Sequence, residues 1–256
     1  MSSTGAGYDL SAGTFSPEGR IFQVEYAHKA VENSGTAIGV KCSDGVIMAV
    51  EKTLLSKMLV PGTHRRIFAI DRHVGMSMAG LVADGRQLVN RAREEALGYK
   101  KNYDSSIPPH VLADRMGQYV HYYTLYGSVR PFGTAVMLGG YDQDEKKPYL
   151  HLVEPSGLTY SYRGCAIGKG QQAAKTEIEK YKLFDMTCRE ALKYVAKILH
   201  TLHDEVRHPM EMELSWICEE SKWQHHFVPD NLRAEVNAWA VQSIQDDEMA
   251  DDDDED

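Results

Sequence analysis

Ser34-Gly35-Thr36, at the head of a β-rich run, has the most direct chemical use of any residue set in the chain. It resembles the site at which some hydrolases free a threonine by self-cleavage and use its hydroxyl as nucleophile, with the new α-amine as base. That chemistry demands a chain that begins at the threonine. Here 35 residues precede Thr36, and the nearest of them read as a helix running straight into the strand. The chain is therefore expected to stay uncut, and the Thr36 hydroxyl to lack its base. An active N-terminal-threonine amidohydrolase, cleaved before Thr36, is the alternative.

Other candidate chemistry reduces to ordinary structure. Gly164-Cys165-Ala166-Ile167-Gly168-Lys169-Gly170 precedes a helix and suggests a phosphate loop, since N–H groups at a helix start attract anions. A P-loop needs four residues between its glycines and Ser or Thr after the Lys, whereas three intervene here and Gly170 follows. Nucleotide binding is not expected. His200 and His203, with Asp204 adjacent, lack the intervening Glu and further ligands of a zinc site and read as helix-end histidines; His225-His226 reads as part of a polar turn. Glu94-Glu95 and the acids between Asp142 and Glu145 are adjacent residues rather than facing carboxylates, so they read as solvated faces and not as a glycosidase pair. No cofactor and no metal is implied.

The elements that must position these residues follow a clear order. A turn at Phe15-Ser16-Pro17-Glu18-Gly19-Arg20 leads into a helix over 23–32. Strands are expected at 36–41 and 46–51 around Ser43-Asp44-Gly45, then at 66–70 and 74–79. Helical periodicity covers 83–99 and 111–126, strands resume at 134–141, 149–153 and 158–162, and helices return at 171–182 and 187–203. Thr187 with Glu190 reads as a capping box for the last of these. A strand at 212–218 and a helix at 231–243 close the body. Strands, two helices, strands, two helices is not the alternation of a parallel doubly wound sheet. It suits an α+β fold of two antiparallel sheets packed together, with a helical layer outside each.

Composition sets the remaining bounds. At 256 residues, 43% apolar and 25% charged, the chain fits one large globular domain. Nine of its 37 acidic residues lie in 246–256 with no base among them, and the rest match the 28 Lys and Arg one for one, so the net charge of -9 belongs to the tail. That block is expected to be a disordered, solvated appendage beyond a domain spanning 13–245. If it docked on basic partners, the chain would be an adaptor. No basic, aromatic-rich surface suggests nucleic acid, no apolar run suits a membrane span, and the N-terminus lacks the order of a signal peptide. Cys42, Cys165, Cys188 and Cys218 lie far apart, which fits a reducing cytosolic or nuclear compartment better than a disulfide framework. Ser243, three residues before Asp246, matches the short pattern of an acidophilic kinase.

Tyr8-Asp9-Leu10, Phe15 to Arg20, Phe22-Gln23-Val24-Glu25-Tyr26-Ala27, Thr36-Ala37-Ile38-Gly39, Gly80-Leu81-Val82-Ala83-Asp84-Gly85-Arg86 and Arg130-Pro131-Phe132-Gly133, in this order, resemble the signature of proteasome alpha-type subunits. Glu32-Asn33-Ser34, the stretch from Cys165 to Glu179, Glu213-Leu214-Ser215-Trp216 and the acidic tail look most like the alpha type-3 members. The resemblance implies the N-terminal-nucleophile hydrolase fold, a four-layer αββα sandwich, in a ring subunit without catalysis of its own, because the family's catalytic threonines belong to beta-type subunits. It implies a cytoplasmic and nuclear location. Implied partners are neighbouring alpha subunits, types 1 and 6, a beta ring beneath, and a regulatory particle or other activators. The family's gate maps onto residues 1–12, with Tyr8 and Asp9 in ordering contacts, Pro17 in the turn that activators displace and Tyr26 close by. The pocket for activator C-termini maps its cation onto Arg66 and its wall onto Gly80 and Leu81. Leu10 departs from the family, where Arg is common, and cannot form that residue's salt bridge.

Overall fold

The computed structural model describes residues 7–53, 56, 58–60, 62–203 and 210–253. Residues 1–6 of the expected gate segment, Asp204 and residues 254–256 lie outside them. Helix α1 (Phe22–Glu32) leads to the antiparallel pair β1 (Ala37–Cys42) and β2 (Gly45–Thr53), then to β3 (Ile67–Asp71) and β4 (Val74–Gly80). Helices α2 (Val82–Tyr103) and α3 (Pro109–Tyr122) follow, then β5 (Thr134–Asp142), β6 (Lys147–Val153), β7 (Thr159–Ser161) and β8 (Gly164–Ile167). The chain continues through α4 (Gln171–Lys180), a 3₁₀ turn at Leu183–Asp185, α5 (Cys188–Leu202), β9 (Met210–Cys218), β10 (His226–Phe227) and α6 (Asp230–Asp253). One sheet has the order β10-β9-β2-β1-β8 and the other β3-β4-β5-β6-β7, with antiparallel pairing throughout.

Three apolar layers explain this stacking. Ala37, Val46, Met48 and Val50 of the first sheet meet Ile67, Ala79, Ala135, Met137, Leu150 and Leu152 of the second. The alternate residues face outward: Ile47, Ala49 and Leu214 pack under α4, α5 and α6, and Met76, Met78, Val136 and Leu138 pack under α2 and α3. Because side chains alternate across a strand and both faces are covered, β2 reads as a continuous apolar run. This is the expected αββα sandwich. The sheets approach closely enough that a Cβ at Gly39 would lie 2.9 Å from Leu150 and 3.2 Å from Met137 Sδ.

The structure extends the sequence reading at three places. Strand β8 was hidden in the glycine-rich stretch 164–170; it pairs with β1, and its run is ended by Gly168 at φ +97. The two-residue β10 is too short to carry a periodic signal, and His225 beside it is buried at 7% exposure rather than part of a solvated turn. The acidic tail is also corrected: α6 runs through the boundary set at residue 246 as far as Asp253. Lys197 on α5 provides the reason, because its Nζ donates to Ser243 Oγ at 2.8 Å and pairs with Asp247 Oδ2 at 2.6 Å. Among the described residues no helix is long and apolar enough to cross a membrane.

The capping box at Thr187 forms as expected, with the Thr187 hydroxyl accepting the Glu190 N–H and Glu190 accepting the Thr187 N–H at 3.0 Å. Thr187→Ala is expected to cost about 1 kcal/mol, lowering the thermal midpoint by roughly 2–4 °C in a melting experiment. His225 gives a pH-dependent counterpart. Its Nε2 is buried without a partner and stands 2.4 Å from where a Cβ on Gly75 would lie. Burial, with His226 adding to it, pushes its pKa down to about 4. The neutral ring is the folded form, so stability is full above the ordinary histidine value and falls as pH drops from there toward 4, by up to about 3 kcal/mol. His225→Leu should flatten that part of a urea-midpoint profile; an unchanged slope would refute the assignment.

Candidate functional site

Helix α1 ends where the potential nucleophile begins. Ser34 turns back on the helix, its N–H and hydroxyl both donating to Val31 O at 3.0 and 2.7 Å. Gly35 then passes so close to β2 that a Cβ there would meet Glu51 O at 2.7 Å. This delivers Thr36 into the interior at 0% exposure. Its backbone N–H donates to Glu51 Oε2 at 3.0 Å, and its hydroxyl accepts the Gly170 N–H at 3.2 Å.

Glu51 is the centre of this arrangement. It is 1% exposed, and its other oxygen, Oε1, lies 3.0 Å from Lys169 Nζ and 2.5 Å from His203 Nδ1. Burial pushes its pKa upward, but the bonds from His203, the Thr36 amide and Lys169 outweigh that and hold the carboxyl below the usual range. Lys169 is thus a structural cation rather than a phosphate ligand, its own N–H also donating to Ser34 O at 2.9 Å. His203 stands at the C-terminal end of α5, as its helix-end reading expects, and is also a buried member of the cluster. In the uncut chain the Thr36 nitrogen is an amide donor and the residue faces no solvent. In this form the site braces the sandwich.

The expected gate residues come together only in part. Tyr26 on α1 donates its hydroxyl to Asp9 Oδ2 at 3.2 Å, and Gln23 Nε2 donates to Asp9 O. Pro17 sits in a closed turn in which the Ser16 N–H reaches Arg20 O at 2.9 Å, the Gly19 N–H reaches Ser16 O at 2.9 Å and Gly19 takes φ +80. Arg20 then pairs with Glu25, tying the turn to α1. Tyr8 remains 42% exposed and makes no side-chain hydrogen bond among the described residues, and Leu10 is 86% exposed.

Arg66, Gly80 and Leu81 share one end of the second sheet. Arg66 O accepts the Met78 N–H at 3.1 Å, which puts Arg66 beside the last residues of β4. Gly80 has φ +117, where a Cβ would strike Gly133 O at 2.3 Å, so only glycine fits. Leu81 N donates to that same carbonyl at 2.8 Å while its side chain stays 49% exposed. The wall is locked from behind, because Asp84 accepts both Arg130 Nη1 and Nη2, at 2.6 and 2.8 Å, and the Gly133 N–H at 2.9 Å. The two sequence motifs around Gly80 and Arg130 are therefore halves of one ion-paired joint. Arg66 is not an ordinary surface cation: its Nε and Nη1 are buried without a hydrogen-bond acceptor, and burial lowers its pKa while Glu213 and Glu51 oppose that.

The remaining candidates separate. His200 Nε2 lies 2.7 Å from Asn237 Oδ1, and the described residues contain no group of three His, Cys, Asp or Glu placed to hold a metal. Asp142 is buried and accepts the N–H groups of Asp144 and Glu145, and Glu95 pairs with Arg91 and Arg115, so neither is merely a solvated face. All four cysteines are free and buried. Sequence reasoning missed Glu51 and Glu213 as organising residues. The available signal was a carboxylate lodged in an otherwise apolar strand.

Glu51→Gln should lower stability by roughly 2–3 kcal/mol, the value of charged hydrogen bonds lost in the interior. A depressed carboxyl contributes fully above its ordinary pKa and loses that contribution as pH falls through the depressed value. The variant should therefore lose less stability than the parent between pH 5 and the acid transition, about the window in which carboxylates protonate, as read by denaturant midpoints.

Comparison with known proteins gives this geometry its context. Residues 31–217 match the family model for proteasome subunits, and residues 8–30 match the N-terminal signature of A-type proteasome subunits. The chain is similar to the alpha type-3 proteasome subunit of Spinacia oleracea, 57% identical over 246 residues that cover 96% of this chain and 98% of the relative. It is 56% identical over 247 residues to that of Acanthamoeba castellanii, covering 96% and 97%, and 55% identical over 246 residues to that of Arabidopsis thaliana, covering 96% and 98%. With both models matched in order along its length and with near-full-length similarity to alpha type-3 subunits, this chain belongs to the proteasome family of subunits and is an alpha-type, non-catalytic member.

Proposed function

We propose that this chain occupies the alpha type-3 position in the ring of the 20S core particle, where it scaffolds assembly and helps to gate substrate entry. It serves ubiquitin-dependent and ubiquitin-independent protein degradation in the cytoplasm and nucleus. The observation that carries this reading is the A-type signature over residues 8–30 together with the near-full-length similarity to alpha type-3 subunits. Its neighbours in the ring would be alpha types 1 and 6, over a beta ring, with interfaces of about 2,000 Å² or more each as permanent assemblies use.

The gate is residues 1–12, entered through the Asp9–Tyr26 bond and the Pro17 turn. Two hydrogen bonds at Asp9, one of them exposed and 3.2 Å long, are a weak hold, which suits a segment that must change arrangement when an activator displaces the turn. Arg66, with Gly80 and Leu81 beside it, receives the C-terminal carboxylate of a regulatory particle or other activator, since a guanidinium donates charge-assisted hydrogen bonds to a carboxylate. Ser243, bonded to Lys197, is a candidate phosphorylation site on α6.

Core particles assembled with this chain lacking residues 2–12 should hydrolyse a fluorogenic peptide faster than the parent particle without activator. Tyr26→Phe should shift the rate in the same direction by less. Thr36→Ala should leave peptide hydrolysis by assembled particles unchanged; loss of a whole class of cleavage with that variant would restore the threonine-hydrolase alternative.

A further inference from the structure

The foot of β3 is held in an unusual way. Strand β3 is an edge strand, so its outer N–H groups have no neighbouring strand to pair with. At its start two successive donors, the N–H groups of Arg66 and Ile67, converge on one acceptor, Glu213 Oε2, at 2.8 and 3.0 Å. Glu213 belongs to β9 of the opposite sheet, and its other oxygen, Oε1, accepts Lys52 Nζ at 3.1 Å. Lys52, 2% exposed, also pairs with Glu211 at 3.2 Å. Glu213 itself is only 6% exposed.

A carboxylate this deep is expensive unless its charge and its lone pairs are all used. Here the charge is met by Lys52, and the oxygen that remains is spent on two consecutive backbone donors, a small anion nest facing across the gap between the sheets. Those donors flank Arg66, whose guanidinium has Nε and Nη1 shielded from solvent with no acceptor among the described residues. Nothing else among the described residues hydrogen-bonds the main-chain nitrogen of Arg66. The carboxylate therefore sets where the Arg66 backbone lies, and with it where the side chain starts.

We propose that Glu213, neutralised by Lys52, is a positioning residue for Arg66: it anchors the foot of β3, the main chain from which the guanidinium reaches the free C-terminal carboxylate of a docked peptide. This rests on the reading of Arg66 as the docking cation. Glu213 touches no ligand. It fixes the main chain from which the ligand-binding group projects, and a loosened anchor would cost the docking site its orientation while leaving the guanidinium's charge intact.

The test uses core particles assembled with variant chains. The probe is one activator-type peptide carrying a photo-crosslinker, made once with a free C-terminal carboxylate and once as the C-terminal amide. Its concentration-dependent capture on this chain is measured. In the parent particle the carboxylate form should be captured more tightly. Glu213→Leu, which removes the acceptor of both backbone N–H groups, should weaken capture of the carboxylate form by about tenfold and leave the amide form unmoved. The double variant Lys52→Met with Glu213→Leu, which strands no buried lysine, should behave the same way and guards against a mere folding defect. Glu213→Gln, which keeps an acceptor oxygen, should retain part of the preference. If Arg66→Ala abolishes the preference while the two Glu213→Leu variants retain it, the positioning role is wrong although the docking reading survives. If Arg66→Ala leaves the preference intact, the docking reading fails and the proposal falls with it.

Discussion

Both faces of both sheets in this protein are covered, and that single constraint decides where charge can go. A strand buried on two sides sends successive side chains into two different apolar layers, so each polar residue within it needs a partner in the layer it enters. At the end of β2 this happens twice in succession. Glu51 enters the layer under the helices, where it meets His203 at the end of α5, Lys169 before α4 and the Thr36 amide. Lys52 turns to the other side and meets Glu211 and Glu213 of β9. Two adjacent residues thus organise two clusters back to back, one bracing the threonine position and the other reaching to the foot of β3.

The first cluster explains how a hydrolase-type sandwich stands without chemistry. The strand-leading threonine retains its place, but its nitrogen is one more hydrogen-bond donor to a buried carboxylate, and its hydroxyl finishes the turn at Gly170. These bonds join α1, β1, β2 and the β8–α4 turn into one unit. The proposed gate and docking roles fall on segments outside the packed layers: the stretch around Asp9, the Pro17 turn, and the end of the second sheet at Arg66 and Leu81. Such a division is physically natural, since loops on a rigid scaffold can differ in conformation at little cost whereas a packed core cannot.

Much of this was legible in the residues. The turn at Pro17, the β1–β2 hairpin, the pair β3–β4, the two helical pairs and the capping box at Thr187 all announce themselves through local rules, because turn residues, alternation and caps act over a few residues. Strand β8 and the two-residue β10 did not, one because its glycines look like loop and the other because it has no length. The continuation of α6 into the acidic residues ran against local expectation, since a run of like charge at a helix C-terminus is unfavourable. It is supported there by Lys197, which is 46 and 50 residues distant in the chain from Ser243 and Asp247.

By itself, the sequence determined the order of elements, the two-sheet layering and the family signature, all of which are written in local pattern or in ordered motifs. Only the tertiary structure decided which charges meet. Asp84 with Arg130, Glu51 with His203 and Glu213 with the Arg66 amide are separated by 46, 152 and 147 residues, and none leaves a trace in spacing. Periodicity reports which face of an element is buried; it carries no information about which distant group will be waiting there. Between buried layers, that pairing determines whether a buried charge is a brace or a liability.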